Sequence, residues 1–383
     1  MVNNMFWTIT TGIILLITTR KSLMTGGIIL QIHQILTSIS YGDAISNDVL
    51  EIKNILDSWG YESKIFSRHI HPKFVQFTQF FTEYQKYSSP ENILIFHFSI
   101  GSEVSEFVKT LPDKKIIIYH NITPHKYFEG INDTLVQLLK DGRRELKEFA
   151  GIVDLALGDS EYNRRELEEL GFKNTGVLPI IIDFEMYKQE PDKKVLKKFD
   201  DDNINFIFVG RLSPNKKQED VIKTFYYYNK YINSRSRLFL VGSYEGTEKY
   251  HAQLINLARQ LNLKNVHFIG QADLTELLAY YKLADVFISM SEHEGFCVPL
   301  LESMYFGIPI IAFNSTAIPY TLNGTGILLN ERNYEVVAEI AHIIVKDEKI
   351  RTKIVEKQNL QLKEFEKSKL EKILKNYIKE VII

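Results

Sequence analysis

Short apolar runs bounded by turn residues, each followed by a helical pattern, recur along this chain and set its fold class. "GIILQIHQIL" (27–36), "NILIFHFS" (92–99), "KKIIIYHNITP" (114–124) and "GIVDLALGDS" (151–160) are such runs. A strand buried on both faces is apolar throughout, and parallel strands need a crossover between them. "EYNRRELEELGF" after residue 160 and the spacing of Val49, Ile52, Ile55 and Leu56 before Gly60 supply helices for that purpose. The expectation is an α/β fold built on parallel sheet covered on both faces.

The alternation breaks once. "IIIDFEMYKQEPDKKVLKKFDDDN" (180–203) is polar, holds Pro191, and reads as a linker with one short helix. The pattern restarts at "INFIFVG" (204–210) and continues through "RLFLVG" (237–242), "NVHFIG" (265–270), "DVFISMS" (285–291), "PIIAF" (309–313) and "GILLN" (326–330). A chain of 383 residues suits two domains better than one. We read two doubly wound domains, 24–190 and 191–360. A C-terminal helix at 361–383 follows, for which a return to the first domain is one course.

Charge and cysteine content narrow the function. Lys and Arg total 46 against 48 Asp and Glu, so there is no basic field for nucleic acid. The single cysteine, Cys297, excludes an internal disulfide framework and fits a reducing, cytoplasmic setting. Residues 1–23 stand apart. Positions 2–19 are uncharged and include "GIILLIT", and Arg20 and Lys21 follow them. That order is wrong for a cleaved signal peptide. Two alternatives stand: a marginal membrane anchor that keeps the next domain cytoplasmic, or translation from upstream of a start at Met24.

The candidate chemistry concentrates in "SEHEGFCVPLLESMYFGIP" (291–309). Glu294 and Glu302 stand among Phe296, Val298, Leu300, Leu301, Met304 and Phe306, and carboxylates are rarely buried unpaired. Pro299 suits a first helical turn, and Gly307 with Pro309 suits its end. Glu294 then lies in the loop after a strand, and Glu302 one turn into a short helix. Ligands of open parallel sheets bind there, where exposed N–H groups favour anions. Gly295 would let backbone approach a phosphate. The glutamates suit hydroxyls, as on a sugar and a ribose at the two ends of a diphosphate. Taken singly, either glutamate reads as a cap or a solvated dipole partner. "FVGRLSPNKKQEDVI" (208–222) adds Lys216 and Lys217 at a second helix start. Cations there oppose the helix dipole unless an anion lies between.

Together these stretches resemble the retaining glycosyltransferases of family 4, the group 1 glycosyl transferases. Their fold is GT-B: two Rossmann-like domains facing each other across a cleft. The run from Glu294 to Glu302 is similar to the family's E-x7-E motif, and "GRLSPNK" to its G-R-x-x-x-x-K stretch. "YHNITP" and "GDSEYNRRELEELGF" resemble a bacterial and archaeal branch, and the likeness covers residues 25 to about 370. It implies that Arg211 and Lys216 clasp the diphosphate of a nucleotide-sugar, with Lys217 the alternative lysine. It implies that Glu302 holds ribose hydroxyls, that Glu294 binds the donor sugar, and that the Gly295 and Phe296 amides face sugar or phosphate. His120 matches a histidine near the sugar's reacting face, although its own surroundings suit a hydrogen-bonded core residue equally well. His97 reads as structural. Gly42 and Asp43 would approach phosphate or acceptor. Cys297 and Lys217 stand where the family commonly has glycine, and the Cys297 side chain would narrow the donor pocket.

The implied reaction moves a hexose from a nucleoside-diphosphate sugar to a hydroxyl of a glycan, glycolipid or lipid-linked acceptor, with retention of anomeric configuration. GDP-mannose and UDP-hexoses both stay open as donors. No Asp-x-Asp ends a strand, and His69 with His71 lacks further ligands, so no metal and no other cofactor is expected. The absence of G-x-G-x-x-G and of G-x-x-x-x-G-K-[ST] disfavours dehydrogenases and P-loop enzymes. Alternatives are another GT-B enzyme, such as an epimerase or a phosphorylase, and a non-catalytic sugar-nucleotide-binding subunit. The aromatic-rich 71–87 reads as core packing, or as a peripheral contact at the inner face of a membrane that carries a lipid-linked acceptor.

Overall fold

A computed structural model describes residues 24–25 and 28–382. The expectations for residues 1–23 lie outside the described residues. The first apolar run becomes the strand Ile32–Ile39 (β1), later than the expected 27–36. Ile28–Ile29 pairs instead with Met24–Thr25, antiparallel. A continuous apolar run does not mark its own ends. The neighbouring strands do, and their register begins at Ile32.

β1 is joined in one parallel sheet by Ile65–Ile70 (β2), Thr78–Phe80 (β3), Ile93–Phe98 (β4), Lys114–Tyr119 (β5), Leu155–Gly158 (β6) and Thr175–Val177 (β7). Their order is β3-β2-β1-β4-β5-β6-β7. The second sheet contains Ile204–Val209 (β8), Ser236–Val241 (β9), Val266–Gly270 (β10), Val286–Ser289 (β11), Ile310–Phe313 (β12) and Ile327–Leu329 (β13). It is also parallel, in the order β10-β9-β8-β11-β12-β13. Each chain path turns outward in both directions from its first central strand. The switch points lie between β1 and β4 and between β8 and β11, where an open parallel sheet leaves a crevice at its carboxyl ends.

The expected boundary at 190/191 is less sharp than the sequence suggests. Ile180, Ile182 and Tyr187 pack into the core of the second domain. Ile181 packs into the first, and its N–H donates to the Asp48 carboxylate at 2.8 Å. Extended backbone sends successive side chains to opposite faces, so one segment serves both cores. At the far end, Lys367–Ile382 returns to the first domain. Leu370, Leu374, Ile378 and Val381 recur on one helical face and pack with Ile32, Ile93 and Ile116. Burial of each such side chain stabilises by roughly 1.5–3 kcal/mol. Lys367 adds an ion pair to Glu51 at 2.7 Å.

The aromatic stretch 71–87 divides. Phe74, Phe81 and Tyr84 are buried, while Val75, Phe77 and Phe80 are exposed. Among the described residues no helix is long and apolar enough to cross a membrane.

Candidate active site

The carboxyl ends of both sheets line one cleft of about 1260 Å³. On the C-terminal side its floor is backbone. Gly210 follows β8 with φ +144° and Gly242 follows β9 with φ +148°. A Cβ on Gly242 would lie 2.0 Å from the Gly210 carbonyl oxygen, so only glycine lets these strand ends meet.

The loops after β8 and β11 are stitched together. Asn215 Nδ2 donates to the His293 carbonyl at 3.1 Å, and the Glu292 N–H donates to the Asn215 carbonyl at 2.8 Å. This places Lys216 against Glu294, and the two form an ion pair. Arg211 donates to the Glu245 carbonyl and lines the same wall. Lys217 takes no part in that wall. It is not among the residues lining the cleft, and its ammonium lies 3.5 Å from Glu219 and 3.6 Å from Glu292. Its backbone is left-handed, with φ +54°, a conformation that glycine adopts most easily, as the chain turns from one short helix into Gln218–Tyr227. Cys297 repeats the case with φ +72°, as N-cap of Val298–Tyr305. Burial pushes its thiol pKa up, so this cysteine is a neutral filler.

Glu302 lies in that helix, and its two oxygens accept from Tyr187 Oη at 2.7 Å and Tyr281 Oη at 2.5 Å. Burial raises its pKa, and the two tyrosine hydroxyls partly oppose the rise. Tyr187 belongs to the interdomain segment, so the carboxylate reaches the linker as well as the cleft. Phe296 is buried in the core, and its carbonyl accepts from Thr321 Oγ1 at 2.7 Å.

The N-terminal wall comes from strand ends as well. Asp43 caps Ala44–Ser58, accepting from the Ser46 N–H at 3.0 Å. Gly42 has φ +75°, and a Cβ there would meet Gln271 of the other domain at 2.6 Å. Gly295, expected to make room for phosphate, makes room for the first domain: its Cβ would lie 2.7 Å from the His120 carbonyl oxygen. Ser160 Oγ donates to the Gly295 carbonyl at 2.8 Å. Farther along the domain junction, Asn132 Nδ2 donates to the Gly246 carbonyl at 2.9 Å.

His120 follows β5 with its side chain 1% exposed. Its Nδ1 lies 3.0 Å from Asp159, and its Nε2 lies 2.9 Å from Nδ1 of His97. His97 Nε2 lies 2.9 Å from Gln34 Oε1. The Asp48 carboxylate and ring nitrogens of both histidines fall within 4.8 Å of one another. All four ring nitrogens have hydrogen-bond partners within this chain.

Asp159, Gly242, Tyr187 and Tyr281 escaped the sequence reading, and His97 was read there as structural only. Only His97 left a signal: two runs read as strands, 92–99 and 114–124, both carry a histidine near their ends. The others depend on which strands and loops become neighbours.

Two doubly wound domains with their strand ends opposed across a cleft make a GT-B fold. Residues 188–361 match the family model of glycosyl transferases group 1. That stretch holds Arg211, Lys216, Glu294 and Glu302. An uncharacterised glycosyltransferase of Haemophilus influenzae is 22% identical over 86% of this chain and 93% of its own length. A GDP-mannose-dependent alpha-mannosyltransferase of Mycolicibacterium smegmatis is 31% identical, over 36% of this chain and 34% of its own. Among solved structures, Anabaena HepE in complex with UDP and glucose superposes with a TM-score of 0.73 over 91% of this chain and 99% of its own, at 16% identity. At that identity the likeness speaks for the fold.

Proposed function

We propose that this protein is a retaining hexosyltransferase of family 4. It would use a nucleoside-diphosphate sugar and a hydroxyl acceptor on a glycan, glycolipid or lipid-linked carrier. The observation that carries the reading is the C-terminal wall of the cleft. Bare glycine backbone at Gly210 and Gly242 lies beside Arg211 and the Lys216–Glu294 pair, with Glu302 farther along. A diphosphate fits over the glycines, between the two cations. Glu302 then reaches the ribose, and Glu294 the sugar.

In transfer the bond from the anomeric carbon to the diphosphate breaks, and negative charge grows on the leaving oxygen. Arg211 and Lys216 are fixed donors for that charge, and each such donor supplies about 3–4 kcal/mol. Retention follows from attack on the face that the leaving group vacates, with the departing phosphate taking the acceptor proton. The opposed domains exclude water that would hydrolyse the donor. This scheme uses no metal. HepE was solved with UDP, and the mycobacterial relative is named for GDP-mannose, so both donor classes belong in the test. A panel of nucleotide-sugars should be screened for thermal stabilisation, then for release of nucleoside diphosphate. No stabilisation and no release across UDP- and GDP-sugars would refute the reading.

A further inference from the structure

With Asp159 ionised, the hydrogen-bond chain behind His120 admits one consistent placement of protons. Gln34 Nε2 donates to the Val49 carbonyl at 3.0 Å, which leaves Oε1 facing His97. An amide oxygen only accepts, so His97 Nε2 carries a hydrogen. His97 is fully enclosed, and burial holds its pKa well below the ordinary value. Its ring is therefore neutral and its Nδ1 bare. His120 Nε2, at 2.9 Å, must donate to that nitrogen. Burial raises the Asp159 pKa and the His120 charge opposes the rise; with that carboxylate ionised, His120 Nδ1, 3.0 Å away, donates as well. The charged and titratable groups facing His120 are Asp159, Asp48, Asp43 and His97. Burial works against the charged ring, but the three carboxylates outweigh it and leave its pKa raised.

We propose that His120 is a buried imidazolium with both N–H groups committed to the protein, and that Asp159 and His97 are positioning residues that lock it in place. The ring then has no lone pair to take a proton and no free N–H for a substrate hydroxyl. Its contribution is a fixed positive charge in the cleft wall and a fixed turn. That turn holds the His120 carbonyl and Asn121, whose φ is +71°, against Gly295 of the loop assigned to the donor. If His120 loses its proton, a bare nitrogen faces the Asp159 carboxylate, two acceptors meet, and the turn loosens. Transfer should therefore fall on the alkaline side although no base is being titrated.

The protonation state stands independently of the proposed function; the kinetic consequence rests on it. The first test is nitrogen NMR of the full chain with labelled histidine, the His120 signals being assigned by their loss in His120→Asn. Both ring nitrogens of His120 should be protonated at pH 7.5, about one unit above an ordinary histidine pKa. A single protonated nitrogen there would overturn the proposal. The second test is the pH profile of kcat with the donor identified by the screen. Asp159→Asn keeps an acceptor but removes the charge, and should move the alkaline limb about one unit toward acid, with less than about threefold change in donor KM. An unmoved limb would overturn the positioning role. If Asp159→Asn does not fold, His97→Gln and His97→Leu replace it: the first retains an acceptor and the wild-type limb, the second shifts it. Equal profiles for those two would also overturn the role. An imidazolium in a protein that consumes no nucleotide-sugar would leave the protonation state standing and reject the transferase reading alone.

Discussion

Lys216 and Glu294 form an ion pair that bridges the loop after β8 and the loop after β11. Each was expected to meet the donor; in the protein alone, each meets the other. Glu294 is buried and Lys216 lies only 21% exposed at its side chain, so the pair lies in the wall itself. Donor binding must then share or replace this contact.

Glu294→Gln should release Lys216 from a neutralising partner. Bare nucleoside diphosphate should bind as well as to wild type, or up to about threefold tighter, while turnover falls. Lys216→Ala and Arg211→Ala should each lower kcat/KM at least about tenfold. Calorimetric titration and steady-state rates on the three variants check this. Clearly weaker nucleoside diphosphate binding by Glu294→Gln would move that residue away from the sugar end.

Glu302→Gln should weaken nucleoside diphosphate and whole donor alike, because ribose belongs to both. Tyr281→Phe removes one of the two hydroxyls that Glu302 accepts from. Left short of a donor, the buried carboxylate should cost about 1–3 kcal/mol of stability. The loss should shrink when Glu302→Gln is also present, and denaturant unfolding of the double-mutant cycle measures that coupling.

Gly242→Ala should disturb the floor of the cleft. The new methyl would meet the Gly210 carbonyl oxygen at 2.0 Å, at a backbone φ of +148°. A stability loss of about 2–4 kcal/mol is expected from strain and clash, along with weaker nucleoside diphosphate binding. Gly171→Ala, which has φ +96° and open space around its Cβ, is the control for backbone strain without the clash. Equal losses in the two variants would show that close strand approach at Gly242 is unimportant.

Asp48 is enclosed, and burial is the largest influence pushing its pKa up to about 7. An unfolded aspartate titrates near about 3.9. The folded state therefore holds the proton more tightly, and stability falls as pH rises from the unfolded value through about 7. Asparagine keeps an acceptor for the Ile181 N–H without the charge. Asp48→Asn should raise Tm relative to wild type at pH 8 and change it little at pH 4. The same Tm difference at both pH values would contradict the assignment.

Activity should survive EDTA. Arg211 and Lys216 supply the positive charge on the diphosphate side, and the nearby Glu294 is already paired. Complete loss on chelation, restored by Mg²⁺ or Mn²⁺, would require a different account of the diphosphate.

Local signals were enough for two parallel sheets and for the strand-turn-helix contexts of Arg211, Lys216, Glu294 and Glu302. Apolar period, caps and turn residues act over a few residues and are written along the chain. The resemblance, not local pattern, marked Cys297 and Lys217 as standing where glycine is common, and both have left-handed backbone. The start of β1, the sharing of Ile180, Ile181 and Ile182 between two cores, and the role of Gly295 were decided by tertiary contact. So were the partners of the two glutamates. Lys216, Tyr187 and Tyr281 are distant in sequence from the carboxylates they meet. The proton chain from Gln34 through His97 and His120 to Asp159 likewise draws on β1, β4, the end of β5 and the end of β6. Side-chain type can be read from a sequence. Which donor faces which acceptor is set by strand order and register, and those exist only once the sheets have formed.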